Sequence, residues 1–477
     1  MKTNVDYKGY DTLIQPTDWR YSAACLGLHR FLSYSGFDFM LLNDCEDTVD
    51  GAIYGFDGIL YHSSDLTEEN YLLFAESYFR KYMTHLTILS MLENAEFTKE
   101  NIKKVNGLIK SKKVFENTLG KNTKFDGTNK DVISNLINEN RFEIIKGIFR
   151  NGNNLYSNYC KENLLLTDSN KHCRLAGYTV DEDRKSNSLG FCFSKESVDC
   201  NDEIEFDFIP FAFSNPEMYE TYFVNNNYSI EELLLANDTL SEKLRDNEKK
   251  NPKTRLLSVL QQADDFINYD VEIIEKNRDK NYYSTLFVRT ERLRKLKKLN
   301  DKSLEFYYNF TDNYVLDLER EVCERCLNNA LLDDLIEKML MIYFKDKDGR
   351  ERKVNKTTVR MRTNTLVDIN VLWKGNIDMD EIKNARTLGY VVSNRLVEIK
   401  GQNKIKSYRH RLNSSLFAHD YDRTKEILLS LSDYSGVEFA FFYKFLEDAE
   451  KYKDLVMAFV SSLKDPSENK TSSSKEN

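Results

Sequence analysis

Helix breakers are scarce in this chain: 5 prolines and 18 glycines are spread over 477 residues. Sandwiches and barrels need such residues at most of their corners, so an all-β architecture is excluded. Collagen-like and low-complexity architectures fall on the same counts. Apolar residues at helical spacing fill the chain instead. Residues 17–34 (TDWRYSAACLGLHRFLSY) read as a helix with Thr17 or Asp18 as its N-cap. Residues 67–93 read as one long helix opened by Thr67. From Ser229 onward the helical patterns are ELLLANDTLSEKLRD, TRLLSVLQQADDFINY, residues 285–300, residues 314–344 and most of 339–463.

Extended structure is expected in two places. YGFDGILYH (54–62) sets turn residues before a short apolar run. In the block 173–222, GFCFSKESV and EIEFDFIPFAFS alternate and read as strands around Pro210. The expected fold class is α+β. A mixed α/β N-terminal domain covers 1–335, a C-terminal helical bundle covers 336–463, and a polar disordered tail covers 464–477.

Charge is uneven. The chain carries 68 Lys/Arg against 77 Asp/Glu, net -9, which excludes a uniformly basic nucleic-acid binder. Residues 336–463 nevertheless hold 23 Lys/Arg and 18 Asp/Glu, so this stretch is basic and the remainder acidic. Lys353, Lys356, Arg360 and Arg362 form one cluster, and Lys404, Lys406, Arg409 and Arg411 another. Further basic runs are Lys103–Lys113 and Arg289–Lys298, the latter with Arg292, Arg294 and Lys297. Such faces can track a phosphate backbone, although any one alone is simply a solvated surface. Amide-bearing loops could probe groove edges. Asn225, Asn226 and Asn227 form one, and Lys185, Asn187 and Ser188 another. Asn also occurs in turns because it tolerates their backbone angles.

The first residues, MKTNVDYKGYDTLIQ, have no apolar signal core, and no window approaches the ~18 apolar residues of a membrane span. A cytoplasmic protein with reduced cysteines is expected. Phosphate-loop, dinucleotide, zincin and nucleophile-elbow motifs are all missing, and 6 histidines leave little for His-dependent chemistry. His419-Asp420 lacks the companion ligands of a metal phosphohydrolase and reads as a helix-turn pair. Cys323 and Cys326 share one helix face and read as core thiols. Cys160, Cys173, Cys192 and Cys200 have irregular spacing, which leaves open a degenerate zinc site. Arg80 and His85, with four residues between them, resemble the Arg-x4-His pair of helical HEPN ribonucleases, in which the two side chains act on the RNA phosphate. That is the enzymatic alternative, and a phage-defence scaffold without nucleic-acid function is a third.

Three segments together resemble the large subunit of a type I CRISPR-Cascade complex, in the group associated with subtypes I-A and I-B. The first is Asp18-Trp19-Arg20-Tyr21-Ser22-Ala23-Ala24 with Gly27, His29, Arg30 and Leu32. The second is GFCFSKESVDC followed by EIEFDFIPFAFS and YFVNNNY. The third is SYRHRLNSSLFAHDYDRTKEILLSL, similar to that family's Tyr-Arg-x-Leu-Asn helix and its Asp-rich turn. The resemblance implies a subunit without catalytic residues, metal or cofactor. It would read a protospacer-adjacent motif (PAM) in double-stranded DNA, help open the duplex and hold the displaced strand in the R-loop. Its partners would be crRNA, the backbone, crRNA 5′-end cap and small subunits, and a helicase-nuclease recruited after target binding. Relatives often carry two C-x-x-C pairs in the middle region, where this chain has isolated cysteines. Met339, Met341, Met361 and Met379 are candidate internal starts for a separate small subunit.

Overall fold

The computed structural model describes residues 1–43, 49–94, 97–121, 123–151, 155–160, 203–214, 220–248, 260, 269–277, 283–291, 304–311, 314–344, 355–401 and 403–463. They fall into two compact units, one built from 1–254 and 262–290, the other from 255–261 and 291–477. The arrangement is α+β, with small sheets among helices in the first unit and a helical bundle in the second.

The first unit opens with a hairpin, β1 (Lys2–Tyr7) and β2 (Tyr10–Ile14), turned at Lys8-Gly9 with both residues at positive φ. Helix α1 (Trp19–Ser35) follows. Asp18 caps it by accepting from the Arg20 and Tyr21 amides, and Gly36 closes it at φ 69°. Strands β3 (Phe39–Leu42) and β4 (Gly58–Tyr61) complete an antiparallel sheet of order β1-β2-β4-β3. The two-residue period of β4 sends Ile59 and Tyr61 into the main core. Leu60 joins Tyr10, Leu13, Leu42 and Val49 in a smaller cluster.

Six helices follow: α2 (Glu68–Tyr78), α3 (Thr84–Asn94), α4 (Lys99–Ser111), α5 (Lys113–Leu119), α6 (Lys130–Glu139) and α7 (Arg141–Asn151), then the single turn α8 (Tyr156–Tyr159). The helix expected over 67–93 is therefore broken, at a 3₁₀ turn over Arg80–Tyr82. Its buried residues explain the break. Ala75, Phe79 and Met83 lie on one side of a helical wheel, whereas His85, Ile88 and Leu92 lie roughly half a turn away, so no straight helix buries both sets.

The second correction concerns EIEFDFIPFAFS. Ile204–Phe211 is a 3₁₀ segment, not a strand, and Glu205 through Phe211 are all buried. Its rings form the centre of the unit: Phe208 lies 4.9 Å from Phe31 and Phe211 lies 4.6 Å from Phe74. Helix α1 packs along it at Gly27, where an added Cβ would sit 2.0 Å from the Phe208 carbonyl oxygen. Beyond it, β5 (Glu220–Asn225), helix α9 (Ile230–Glu248), β6 (Val271–Asn277) and β7 (Tyr283–Val288) build a three-stranded antiparallel sheet with a covering helix. The helix expected over 285–300 thus starts as strand, as the β-branched and aromatic residues of β7 favour.

In the second unit the stretch 314–344 also starts as strand, because β8 (Tyr307–Thr311) and β9 (Tyr314–Asp317) form a hairpin. Helices α10 (Leu318–Leu327), α11 (Asp333–Phe344), α12 (Lys356–Lys374), α13 (Met379–Glu398), α14 (Asn403–Phe417), α15 (Tyr421–Ser435), α16 (Ala440–Glu447) and α17 (Ala449–Ser462) follow. Helix α17 is the axis of the bundle. Residues 453–462 are all buried, and α12, α13, α14 and α16 pack around it. Its charged start is satisfied internally. Asn370 on α12 donates to Asp333 (2.8 Å) and Asp454 (2.9 Å) and accepts from the Leu332 amide. Lys374 and Lys453 add ion pairs of 2.8 Å to Asp454 and Asp333 respectively.

Candidate nucleic-acid interface

Helix α14 is two-faced. Ile405, Tyr408, Leu412 and Leu416 point into the bundle, whereas Lys404, Lys406, Ser407, His410, Arg411 and Ser414 are exposed. The turn to α15 is tight, with His419 at φ 51° and Asp420 capping α15 by accepting from the Arg423 amide at 3.1 Å. Thr424 ties the hairpin by donating to Ser415 Oγ at 2.8 Å. His419 and Asp420 are thus turn residues, as expected. Between the two helices lies an open cleft of about 470 Å³, with Ser407, His410, Arg411, Ser414, Asp420 and Arg423 among its lining residues.

Arg411 and Arg423 have no carboxylate partner within ion-pair distance among the described residues, so their guanidinium charges stay available. Against Asp420 they leave the cleft with net charge +1. Two guanidinium forks beside serine hydroxyls suit the oxygens of a phosphodiester, which carries one negative charge. Lys404 extends the charge along α14 and lies 4.3 Å from the Tyr434 ring centroid. Of this set, Ser407, His410, Ser414 and Arg423 went unremarked in the sequence. The signal was present at 407, 411, 414 and 418, one helical stripe without a large apolar residue.

Arg409 needs correcting. It is 2% exposed, and its guanidinium donates to the Leu463 carbonyl at 3.1 Å, so it ties α14 to the end of α17 and offers nothing to a phosphate at the surface. Lys356 and Arg360 are half-buried on the first turns of α12, and Arg362 donates to the Glu305 carbonyl at 3.2 Å. Lys185, Asn187, Arg292, Arg294, Lys297, Lys353 and the tail lie outside the described residues.

The asparagine loop is committed to structure. Asn225 donates to Glu272 at 2.8 Å. Asn226 accepts from the Tyr228 and Ser229 amides at 2.9 Å and donates to Glu232 at 3.0 Å. Asn227 accepts from Ser22 of α1 at 3.0 Å. Asn225 and Asn226 are both buried, so neither amide is free to probe a groove edge. This is the turn-forming role of Asn.

Cys323 and Cys326 are buried free thiols on α10, and burial pushes the Cys326 thiol up to about 12. Cys160 is buried as well, whereas Cys173, Cys192 and Cys200 lie outside the described residues. Among the described residues no group of three or more His, Cys, Asp or Glu could hold a metal ion. None of the described helices is long and apolar enough to cross a membrane. His85 is fully buried and bonded to Glu76 at 2.7 Å, with Arg141 on the same carboxylate, while Arg80 is exposed on the preceding turn.

Within the first unit, the described parts of the first two segments that carried the Cascade resemblance, Asp18–Leu32 and EIEFDFIPFAFS with YFVNNNY, meet around α1. Arg30 and Tyr78 both donate to the Phe211 carbonyl, at 2.5 and 2.9 Å, and Ser22 reaches Asn227. They hold the first unit together. A family model, CRISPR-associated protein Csx8, matches residues 10–463. The chain belongs to that family. Comparison with curated proteins and with solved structures finds no match. The Csx8 match spans both units, so the α14–α15 cleft lies inside the family's own extent.

Proposed function

We propose that the chain is the large, non-catalytic subunit of a crRNA-guided type I DNA surveillance complex. In this reading the outer face of the α14–α15 hairpin holds the displaced single strand of target DNA. The observation that carries this is the cleft, where Arg411 and Arg423 face a row of serines on a bundle that is basic within an acidic chain. Base pairing with crRNA would supply sequence recognition, and the protein would need only short motif contacts and a cationic track. PAM reading, duplex opening and recruitment of the helicase-nuclease belong to the same proposal. The partners would be crRNA, target DNA and the backbone, cap and small subunits. The ribonuclease alternative gains no support, because His85 is buried against Glu76 and Arg80 is exposed on a separate turn.

A separately translated small subunit is harder to reconcile with the bundle. A fragment beginning at Met379 would leave buried Asp454 without Lys374 and Asn370, and one beginning at Met339 would lack Asp333.

The test is charge reversal at Lys404, Lys406, Arg411 and Arg423 in the assembled complex, read as retention of single-stranded and target DNA over a salt series. The expected result is weaker retention regardless of sequence, with a log-log salt slope shallower by about 0.7 per lost phosphate contact. Unchanged retention and slope would remove the cleft from the DNA path.

A further inference from the structure

The first unit carries an exposed aromatic tip unrelated to the basic cleft. Tyr54 is 90% and Tyr228 70% exposed. Beneath Tyr228 lies Phe56, its ring parallel within 16° at a centroid distance of 5.7 Å. Exposed rings of this size are costly to leave in water unless they meet a partner.

The tip is held in shape from both sides. Buried Gln15 donates to the Ile53 and Phe56 carbonyls at 3.1 and 3.0 Å and accepts from the Ile53 amide at 2.7 Å, which fixes the loop that presents Tyr54. Gly55 takes φ 93°, a backbone angle that lets the loop turn between the two rings. Asp57 joins this loop to the second one. Its amide donates to the Tyr228 carbonyl at 3.0 Å, and its carboxylate accepts from the Ile230 amide at 3.0 Å. Asn226 completes the brace through the Tyr228 and Ser229 amides. Rings whose backbone is already ordered lose little entropy on binding, as interface anchors require.

Charge decides the occupant. No Lys or Arg occurs between Phe31 and Phe79, nor between Glu196 and Glu242, and the tip is made where these two stretches meet. The same stretches supply Asp50, Asp57, Glu231 and Glu232, and Glu231 is exposed at the start of α9. A phosphate backbone would be repelled here, whereas arginine and lysine side chains could stack on the tyrosines and pair with the carboxylates. We propose that the Tyr54–Phe56–Tyr228 tip is a docking surface for a Lys/Arg-rich segment of another polypeptide. The proposal stands on the first unit alone and does not depend on the DNA-binding role of the bundle.

The photo-crosslinker p-benzoylphenylalanine, placed at Tyr54 or at Tyr228 in the full chain in its native host, tests this, with Tyr434 of α15 as the control position. The expected result is a crosslink mapped by mass spectrometry to a Lys/Arg-rich segment of a second protein. Glu231→Lys should reduce its yield at least tenfold while single-strand retention stays unchanged. Crosslinks from the tip to nucleic acid, to an acidic or apolar protein segment or to a second copy of this chain would overturn the proposal. So would silence at both tip positions while the control crosslinks, or indifference to Glu231→Lys. Both tyrosines are exposed, so their replacement leaves the fold intact. Charge reversal at Lys404 and Lys406 should alter DNA retention and leave the tip's crosslinks unchanged, which separates failure of this inference from failure of the DNA-binding reading.

Discussion

At the centre of the first unit lie rings: Phe31, Phe74, Phe208, Phe211 and Phe149 pack against one another around a 3₁₀ segment. At the centre of the bundle, beside a similarly apolar α17, lie charges: Asp454 is fully buried between Asn370 and Lys374, and Lys453 and Asp333 close the network. The ring core tolerates imprecise packing directions, because apolar contact has no angular requirement. The ionic knot does not, since each buried carboxylate needs its own donors. The first unit should therefore degrade gradually under substitution and the bundle abruptly.

The largest effects test that contrast directly. Asp454→Ala leaves Lys374 buried without its closest partner and should cost about 3–5 kcal/mol in denaturant unfolding of the full chain. Phe211→Ala should cost a similar 3–5 kcal/mol through lost burial and a cavity. The conservative replacements should separate the two. Phe211→Leu is expected to recover most of the loss, whereas Asp454→Leu recovers little while Lys374 remains. Equal recovery at both positions would break the comparison.

The next effect lies within one helix. Arg409 and Arg411 are two residues apart in sequence and opposite in role. Arg411→Ala should leave stability within about 0.5 kcal/mol of the parent and weaken single-strand retention. Arg409→Ala should do the reverse, because it removes a buried donor to the Leu463 carbonyl. An Arg409→Ala chain of unchanged melting temperature and weakened DNA retention would return Arg409 to the surface set.

This pair also marks how far the sequence could be read. Helix α1 with its Asp18 cap, strand β4, the bundle and the existence of a basic α14 were all legible, because caps and apolar spacing are local signals. Which cations face outward was not. KIKSYRHRLN offers five basic side chains over eight residues, Lys404 to Arg411, and only the packing against α17 decides that Arg409 turns inward. The 3₁₀ segment at 204–211 was hidden for a related reason. Its alternating pattern fits a strand, and the deciding contact is Gly27 of α1, about 180 residues earlier, which lets the Phe208 carbonyl approach. The Asn225–Asn227 loop misled because amides that bind DNA and amides that brace a turn are the same residues. Their partners Glu272, Glu232 and Ser22 are known only from the fold.

The smallest effect tests an ionic site inside the ring-centred unit, the Glu76–His85–Arg141 group. Glu76 is buried, which would raise its pKa, but hydrogen bonds from His85 and Arg141 outweigh this and hold it at about 2 against an ordinary 4.5. A carboxylate depressed in the folded state contributes stability that is full above pH 4.5 and is lost as pH falls toward 2. Glu76→Gln should therefore be least stable relative to the parent near neutrality and converge with it toward pH 2, when melting is followed across that window. Arg80→Ala should shift neither curve, because Arg80 is exposed and apart from the Glu76–His85–Arg141 group. A parallel loss in Arg80→Ala and His85→Ala would mean that the two side chains act as a unit, which the break at Arg80–Tyr82 argues against.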